Sequence, residues 1–349
     1  MEQICKMMYR AFFQLLMVSV YIGHIYGGID AQTVLVTGGA GYIGSHTCKA
    51  LKEAGYLPVV YDSLSTGQIE AVQWGPFILG DLLDSEALNR ALERYKPCAV
   101  IHFAALCNVG ESVTDPESYY TNNVIGSIHL LNAMHRQGIE NIIFSSSCTV
   151  YGDVETSIVE DMPKAPTNPY AKSKYHVECA IKDYAHAYPM RYLILRYFNA
   201  AGIDVDSGLK RSLHSSNFLI PRVIRSIFYP DAPLYIFGSD HPTKDGTCIR
   251  DYIHVKDLAH AHVLALKHLL SNKHSDEFNL GSGTGHSVFE VIHEVEQLTG
   301  KKVPYVLQAR REGDVPRSVA NVEKAKAVLG FEAQHSDLHI IIKDELENM

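Results

Sequence analysis

Four glycines occupy the seven positions from Gly38 to Gly44, directly behind the β-branched run TVLVT that starts at Thr33. A chain gives up side chains this densely where its backbone must turn tightly or be approached closely. Gly38, Gly41 and Gly44 form G-x-x-G-x-x-G between a predicted strand and a helix predicted to start near Tyr42. The pattern then repeats without the glycines. Apolar strand candidates stand at LPVVYD (57), PFILGD (76), CAVIHFA (98), NIIFSSS (141) and RYLILRYFN (191), separated by amphipathic stretches such as EALNRALERY from Glu86. Near-continuous apolar strands alternating with helices imply a parallel sheet covered on both faces. The fold expected for residues 33–202 is therefore a doubly wound, Rossmann-like α/β domain. Beyond Gly202 the rhythm loosens, and residues 203–349 are expected to form a smaller C-terminal α/β lobe that binds substrate.

Residues 1–32 do not belong to this rhythm. Lys6 leads an apolar stretch interrupted by Gln14, Ser19 and His24. Three readings stay open: an extension or non-native upstream start, a membrane anchor, and a cleaved export signal. The seven cysteines are scattered and contain no Cys-x-x-Cys pair. That pattern suggests neither a disulfide framework nor a zinc site, and it points to a reducing, cytoplasmic location, with membrane association as the alternative. A net charge of -8 argues against a nucleic-acid partner, which would call for a basic face.

At the glycine loop, a pyrophosphate can rest against the unsatisfied N–H groups of the following helix, so Gly38, Gly41, Tyr42, Ile43 and Gly44 are cofactor candidates. The next strand ends in Asp62, eighteen positions past Gly44, near the offset expected of a ribose-binding carboxylate. A carboxylate there accepts from a ribose 2′-hydroxyl and repels a 2′-phosphate, which favours NAD over NADP.

Tyr170 and Lys174 lie four residues apart in NPYAKSK, on a helix that Asn168 can cap and Pro169 can start. Upstream, FSSSCTVYG ends a predicted core strand, so Ser147 and Thr149 should face the same ligand crevice. The expected catalytic set is Tyr170, Lys174 and Ser147. The Lys174 ammonium and a positively charged nicotinamide are expected to lower the phenol's pKa and make Tyr170 a usable base. A second Tyr-x-x-x-Lys, Tyr252 and Lys256, follows no cofactor strand and is set aside.

The glycine spacing, with GDLLD and HFAA, resembles the extended short-chain dehydrogenase/reductase family. TGGAGYIGSHTC, HFAA with VGESV, YYTNNVIGS, FSSSCTVYG, NPYAKSK, LRYFNAAG, DGTCIRDYIHVKDLA, NLGSGTGHSV and RREGDVP together resemble its UDP-glucose 4-epimerase branch. The resemblance implies bound NAD, a UDP-sugar substrate, interconversion of UDP-glucose and UDP-galactose through a 4-keto sugar, and a homodimer built from helices near Ser118 and Tyr170. It assigns Asp81 and Leu82 to the adenine side, and Phe103, Ala104, Ala105, Asn122 and Lys174 to the cofactor. It assigns Ser147, Thr149, Tyr170, Asn199, Asn217, Arg250, Arg311, Asp314 and Ser318 to the substrate, with the two arginines on the diphosphate and Asp314 on a ribose hydroxyl.

The chain departs from this pattern in places. ALCNVGES puts Cys107 where the family carries lysine beside the cofactor, and Ser318 stands where some relatives carry tyrosine near the hexose. The Trp-containing tail usual in the group is replaced by IIKDELENM. Dehydratases of the family carry an acid pair after the core-strand Ser/Thr, and Cys148 and Thr149 take that place here. Two alternatives remain: a 4-epimerase for another UDP-sugar (an N-acetylhexosamine, a glucuronate or a pentose), and a non-catalytic NAD-binding regulator.

Overall fold

The computed structural model describes residues 31–154, 156–210, 218–229, 233–311 and 314–348. The N-terminal apolar stretch and Asn217 lie outside them. Among the described residues, no helix is long and apolar enough to cross a membrane. Thr33–Met349 forms one compact unit.

The chain enters through β1 (Thr33–Thr37), α1 (Tyr42–Glu53), β2 (Leu57–Asp62), β3 (Phe77–Leu79), α2 (Ser85–Tyr95) and β4 (Ala99–His102). After α3 (Val109–Thr114), a helical turn at Pro116–Tyr119 and a π-helical segment at Tyr120–Ile125 lead into α4 (Gly126–Arg136). Then come β5 (Asn141–Ser147), α5 (Pro169–Ala187) and β6 (Arg191–Tyr197). All six strands lie where the apolar runs predict them. They pair in parallel in a seven-stranded sheet whose remaining member comes from much later in the chain.

Alternating residues of the strands feed opposite cores. Val34, Val36, Ile101, Ile143 and Leu195 pack on one face with Cys48 and Leu51 of α1. Leu35, Val59, Val100, Ile142 and Phe144 pack on the other with Leu88 and Leu92 of α2, Leu130 and Met134 of α4, and Val177 and Ile181 of α5. Both faces are covered, which is why the strands read as unbroken apolar runs.

Past β7 (Asn199–Ala201) the chain forms α6 (Leu219–Phe228), β8 (Leu234–Phe237), β9 (Ile249–His254), α7 (Val255–Asn272) and β10 (Asp276–Leu280). It continues through β11 (Gly285–Ser287), α8 (Val288–Thr299), β12 (Tyr305–Gln308), β13 (Arg317–Ser318), α9 (Glu323–Leu329) and α10 (Leu338–Glu347). β9 pairs with β7, β11 and β13, and β8 pairs with β12. Val223, Ile236, Val291 and Ile341 lie in a separate core beneath these strands. The division at residue 202 is not a single cut in the chain. β10 adds to the first sheet beside β6, and Leu258 and Leu266 of α7 enter the first core. β10 thereby becomes the edge strand of that sheet and β6 an interior one.

Candidate active site

The sheet order is β10-β6-β5-β4-β1-β2-β3, so successive connections reverse direction between β1 and β4. In doubly wound sheets the ligand crevice opens at such a switch, outside the strands' carboxyl ends. Here the glycine loop after β1 meets the HFAA segment after β4. Phe103 N and Ala104 N both donate to Thr37 O, at 2.9 and 3.1 Å. Gly38 has φ +72°, and a Cβ there would stand 2.6 Å from Ala104 N, so only glycine allows this approach.

Gly41 stands at the N-cap of α1, which has no capping side chain and no acid in its first turn. That leaves a helix N-terminus suited to an anion. Gly44 serves helix–loop packing, since a Cβ there would lie 2.3 Å from Gly38 O and 2.8 Å from Gly39 Cα. Both obstacles are backbone. Gly44→Ala is therefore expected to cost about 2 kcal/mol, lowering Tm by several degrees, and to leave purified protein depleted of NAD. Calorimetry and extraction of bound nucleotide check both.

Asp62 ends β2 with both carboxylate oxygens on loop amides: Ala40 N at 2.9 Å and Leu64 N at 2.8 Å. The bonds orient the carboxylate, and each oxygen keeps a further lone pair for a hydroxyl. Asp81 is exposed, held by Leu83 N at 2.9 Å, whereas Leu82 is buried in the core. Uncapped helix, close glycine loop and braced acid form a donor and acceptor set that fits NAD. Asn122 sits in the π-helical segment and donates to Asn123 Oδ1 at 2.9 Å.

Asn123 is a residue that sequence reasoning missed. It accepts from Leu106 N at 2.8 Å and donates to Leu106 O and Ser173 Oγ, both at 3.0 Å. It thus ties the loop carrying Ala105 and Cys107 to the helix carrying Tyr170. Its only signal was the Asn-Asn doublet. His102 was also missed: buried, it bonds Thr37 Oγ1 at 2.7 Å and Ser127 Oγ at 2.8 Å. Burial, with help from Lys174, drops its pKa to about 3, so the imidazole is a neutral brace.

The catalytic candidates meet at the carboxyl end of β5. Asn168 caps α5 by accepting from Ala171 N at 2.9 Å, with Pro169 in the first turn, as the sequence implies. Tyr170 and Lys174 are both buried, and Tyr170 hydrogen-bonds Ser147. Thr149 Oγ1 donates to Ser147 Oγ at 2.9 Å. Lys174 Nζ donates to Ser145 O at 2.9 Å and lies 5.1 Å from the centre of the Phe144 ring. The electrostatics correct one expectation. Burial pushes the Tyr170 phenol up, Cys107 adds to this, and the Ser147 hydrogen bond opposes it. The protein's own groups do not lower this phenol, because desolvation outweighs the nearby hydrogen bond. Burial also drops the Lys174 ammonium to about 8, against the opposing pull of Cys107 and Glu178.

The second lobe brings its residues to the same place. Ser318 pairs in register with Arg250, and its Oγ lies 3.7 Å from Sγ of Cys148, the neighbour of Ser147. Arg250 donates to Ile249 O and Val315 O at 2.9 and 2.8 Å, and its Nη2 lies 3.7 Å from Asp314. Arg311 Nε donates to Asp314 at 2.8 Å, and its guanidinium lies 4.9 Å from the Phe237 ring centre. Asp314 thus joins two cations in one group, a link that sequence distance hides for Arg250. Asn199 Nδ2 donates to Asp251 O at 3.0 Å. Tyr252 is buried on β9 while Lys256 pairs with Asp204 at 3.5 Å, so that second pair is structural.

A reversing parallel sheet with this glycine loop defines a protein of the Rossmann-like dinucleotide-binding class. The chain belongs to the NAD dependent epimerase/dehydratase family, whose model matches residues 34–281. It is 46% identical over 313 residues to the UDP-glucose 4-epimerase of Rhizobium leguminosarum bv. trifolii, covering 89% of this chain and 95% of that one. The crystal structure of UDP-glucose 4-epimerase from Brucella ovis in complex with NAD superposes with TM-score 0.87 at 48% identity, over 90% of this chain and 97% of that one. The Bifidobacterium longum enzyme, in complex with NAD+ and UDP, gives 0.84 at 35% identity, over 90% and 97% of the two chains.

Proposed function

We propose that the protein is a UDP-glucose 4-epimerase that interconverts UDP-glucose and UDP-galactose with bound NAD. The observation that carries this reading is the contact of Ser318 Oγ with Sγ of Cys148 at 3.7 Å, which brings the strand pair carrying Ser318 and Arg250 beside Ser147. NAD, when bound, supplies the acceptor and donor for the C4 hydride. Tyr170 takes the proton from the sugar 4-hydroxyl and returns it after the 4-keto sugar has turned its other face. Ser147 orients that proton through its hydrogen bond to the phenol. The Lys174 ammonium, together with the positive charge of a bound nicotinamide, would offset the burial that raises the phenol. Arg250 and Arg311 grip the diphosphate, Asp314 takes a ribose hydroxyl, and Asn199 and Thr149 contact the substrate. A firm hold on UDP with a loose hold on hexose permits the turn without release.

The test is incubation of purified protein with UDP-glucose and chromatographic separation of products. Formation of UDP-galactose without net NADH release supports the reading. No turnover of any UDP-sugar by folded, NAD-loaded protein would leave the non-catalytic regulator as the better account.

A second specificity is favoured by Ser318, which is small and stands beside Arg250 and Cys148. The enzyme is expected to accept UDP-N-acetylglucosamine as well. Ser318→Tyr should reduce that activity more than about tenfold while sparing UDP-glucose, and inactivity of the wild type on the N-acetyl sugar removes the idea. The homodimer is proposed to pair the π-helical segment leading into α4 with α5, on the strength of exposed Ile125 in that segment and the Tyr120–His176 ring contact at 5.8 Å, which sets the segment and α5 side by side. Light scattering on the eluting protein distinguishes a dimer from a monomer. A cytoplasmic location is proposed from the six described cysteines, all free thiols.

A further inference from the structure

We propose that Glu178 and Arg196 are a positioning pair that fixes the catalytic helix against the catalytic strand and sets where Tyr170 and Lys174 stand relative to Ser147. The inference rests on the catalytic roles proposed above and adds residues that touch neither substrate nor cofactor.

Arg196 on β6 and Glu178 on α5 are both fully buried, at 0% exposure. Arg196 Nε donates to Glu178 Oε1 at 2.9 Å and Nη2 to Oε2 at 2.7 Å, a two-point grip with fixed orientation. Glu178 Oε1 also accepts from Ser146 Oγ at 2.5 Å. Ser146 stands on β5 between Ser145, whose carbonyl accepts from Lys174 Nζ at 2.9 Å, and Ser147. Glu178 lies one helical turn beyond Lys174 and two beyond Tyr170, on the same face. One carboxylate therefore ties the catalytic helix to the catalytic strand at the residue beside Ser147.

The other side of the guanidinium is anchored too. Arg196 Nη1 donates to Tyr151 OH at 2.9 Å and to Glu160 O at 3.3 Å, and Nη2 pairs with Glu277 of β10. Tyr151 OH passes to Asn279 Oδ1 at 2.7 Å, and Lys182 of α5 pairs with Glu277. Strands β5, β6 and β10 and helix α5 converge on one buried cation. Burying such a pair is a poor route to stability, because well-packed apolar residues do as well or better, whereas the pair dictates register. The register it dictates is that of the two elements carrying the reacting groups.

Glu178 is also an anion near Lys174. The titratable groups that act on Lys174 are Cys107 from the loop after β4, Glu178 of its own helix and His102 of β4, while Ser145 O and the Phe144 ring line the rest of its surroundings. Of these, Cys107 and Glu178 favour the ammonium and burial opposes them. Removing the charge of Glu178 while keeping its shape should make Lys174 lose its proton at lower pH.

The test compares wild type, Glu178→Gln and Glu178→Asp in NAD-loaded protein. In E178Q, the alkaline limb of the kcat profile should move down by about one pH unit, the lower end of what a nearby opposite charge contributes. In E178D, which keeps the charge but shortens the reach, kcat should fall with the limb left in place. The Cε resonance of Lys174 in 13C-lysine-labelled protein, assigned with K174R, should report the same displacement without any turnover. That arm separates the two readings: wild type inactive on UDP-glucose defeats the epimerase, while the lysine titration still judges the pair. A lysine midpoint equal in wild type and E178Q, or a kcat loss in E178Q uniform at every pH, overturns the proposal. If E178Q does not fold, E178D decides: unchanged kcat in folded E178D overturns it.

Discussion

Replacing Tyr170 with phenylalanine is expected to lower kcat about a thousandfold, within the range that a positioned acid–base group contributes, while the protein stays folded and keeps its NAD. The asymmetry follows from how the residue is held. Its ring packs edge-on against Tyr119, centroids 6.5 Å apart, and phenylalanine preserves that contact. The hydroxyl's partner is Ser147, so the loss to folding is about one hydrogen bond, roughly 1 kcal/mol. In chemistry the hydroxyl has no substitute, since the aliphatic hydroxyls of Ser147 and Thr149 are far weaker acids than a phenol and cannot take its place as the proton carrier. Steady-state assay with denaturation of the same sample checks both halves. An unchanged kcat in folded protein would remove Tyr170 from the reaction.

Lys174→Met is expected to cost about a hundredfold in kcat and to abolish an alkaline limb that wild type should show. Burial holds the ammonium at about 8 against an ordinary value of 10.5, so wild-type activity should fall tenfold per unit as pH climbs past that midpoint. The contribution of Lys174 to stability should move the opposite way. With the folded pKa depressed, the unfolded chain binds more protons between about 8 and 10.5, and this group's contribution to stability rises with pH across that window. A stability difference between wild type and Lys174→Met that grows in favour of wild type across the window in which the rate falls is a signature that general alkaline unfolding cannot mimic. A flat profile through pH 10 in folded wild type would show that the ammonium is dispensable.

The glycine loop, the six early strands and the capped start of α5 were legible because each is a local matter. Gly38 is required by a neighbouring backbone, but its spacing from Gly41 and Gly44 is written within one turn. The apolar strands announce burial on both faces by composition alone. The pairing of Tyr170 with Lys174 is likewise a property of helical periodicity.

What lay beyond reading was every relation between segments far apart in the chain. Asn123, His102, Glu178 and Arg196 look like ordinary polar residues in apolar runs, and only burial beside particular partners distinguishes them. Burial raises the Tyr170 phenol in the protein alone, and desolvation depends on the surroundings in space, which a four-residue spacing does not contain.

The order of residues by itself determined a doubly wound α/β chain, the loop for a dinucleotide, and a tyrosine and lysine on one helical face. Tertiary structure alone decided that β10 returns to extend the first sheet, that Ser318 reaches Cys148 beside Ser147, and that a buried arginine on β6 pairs with a buried glutamate on α5. The reason is physical: backbone geometry and side-chain periodicity act over a few residues, whereas burial, charge and contact are set by whatever the folded chain brings within a few ångströms.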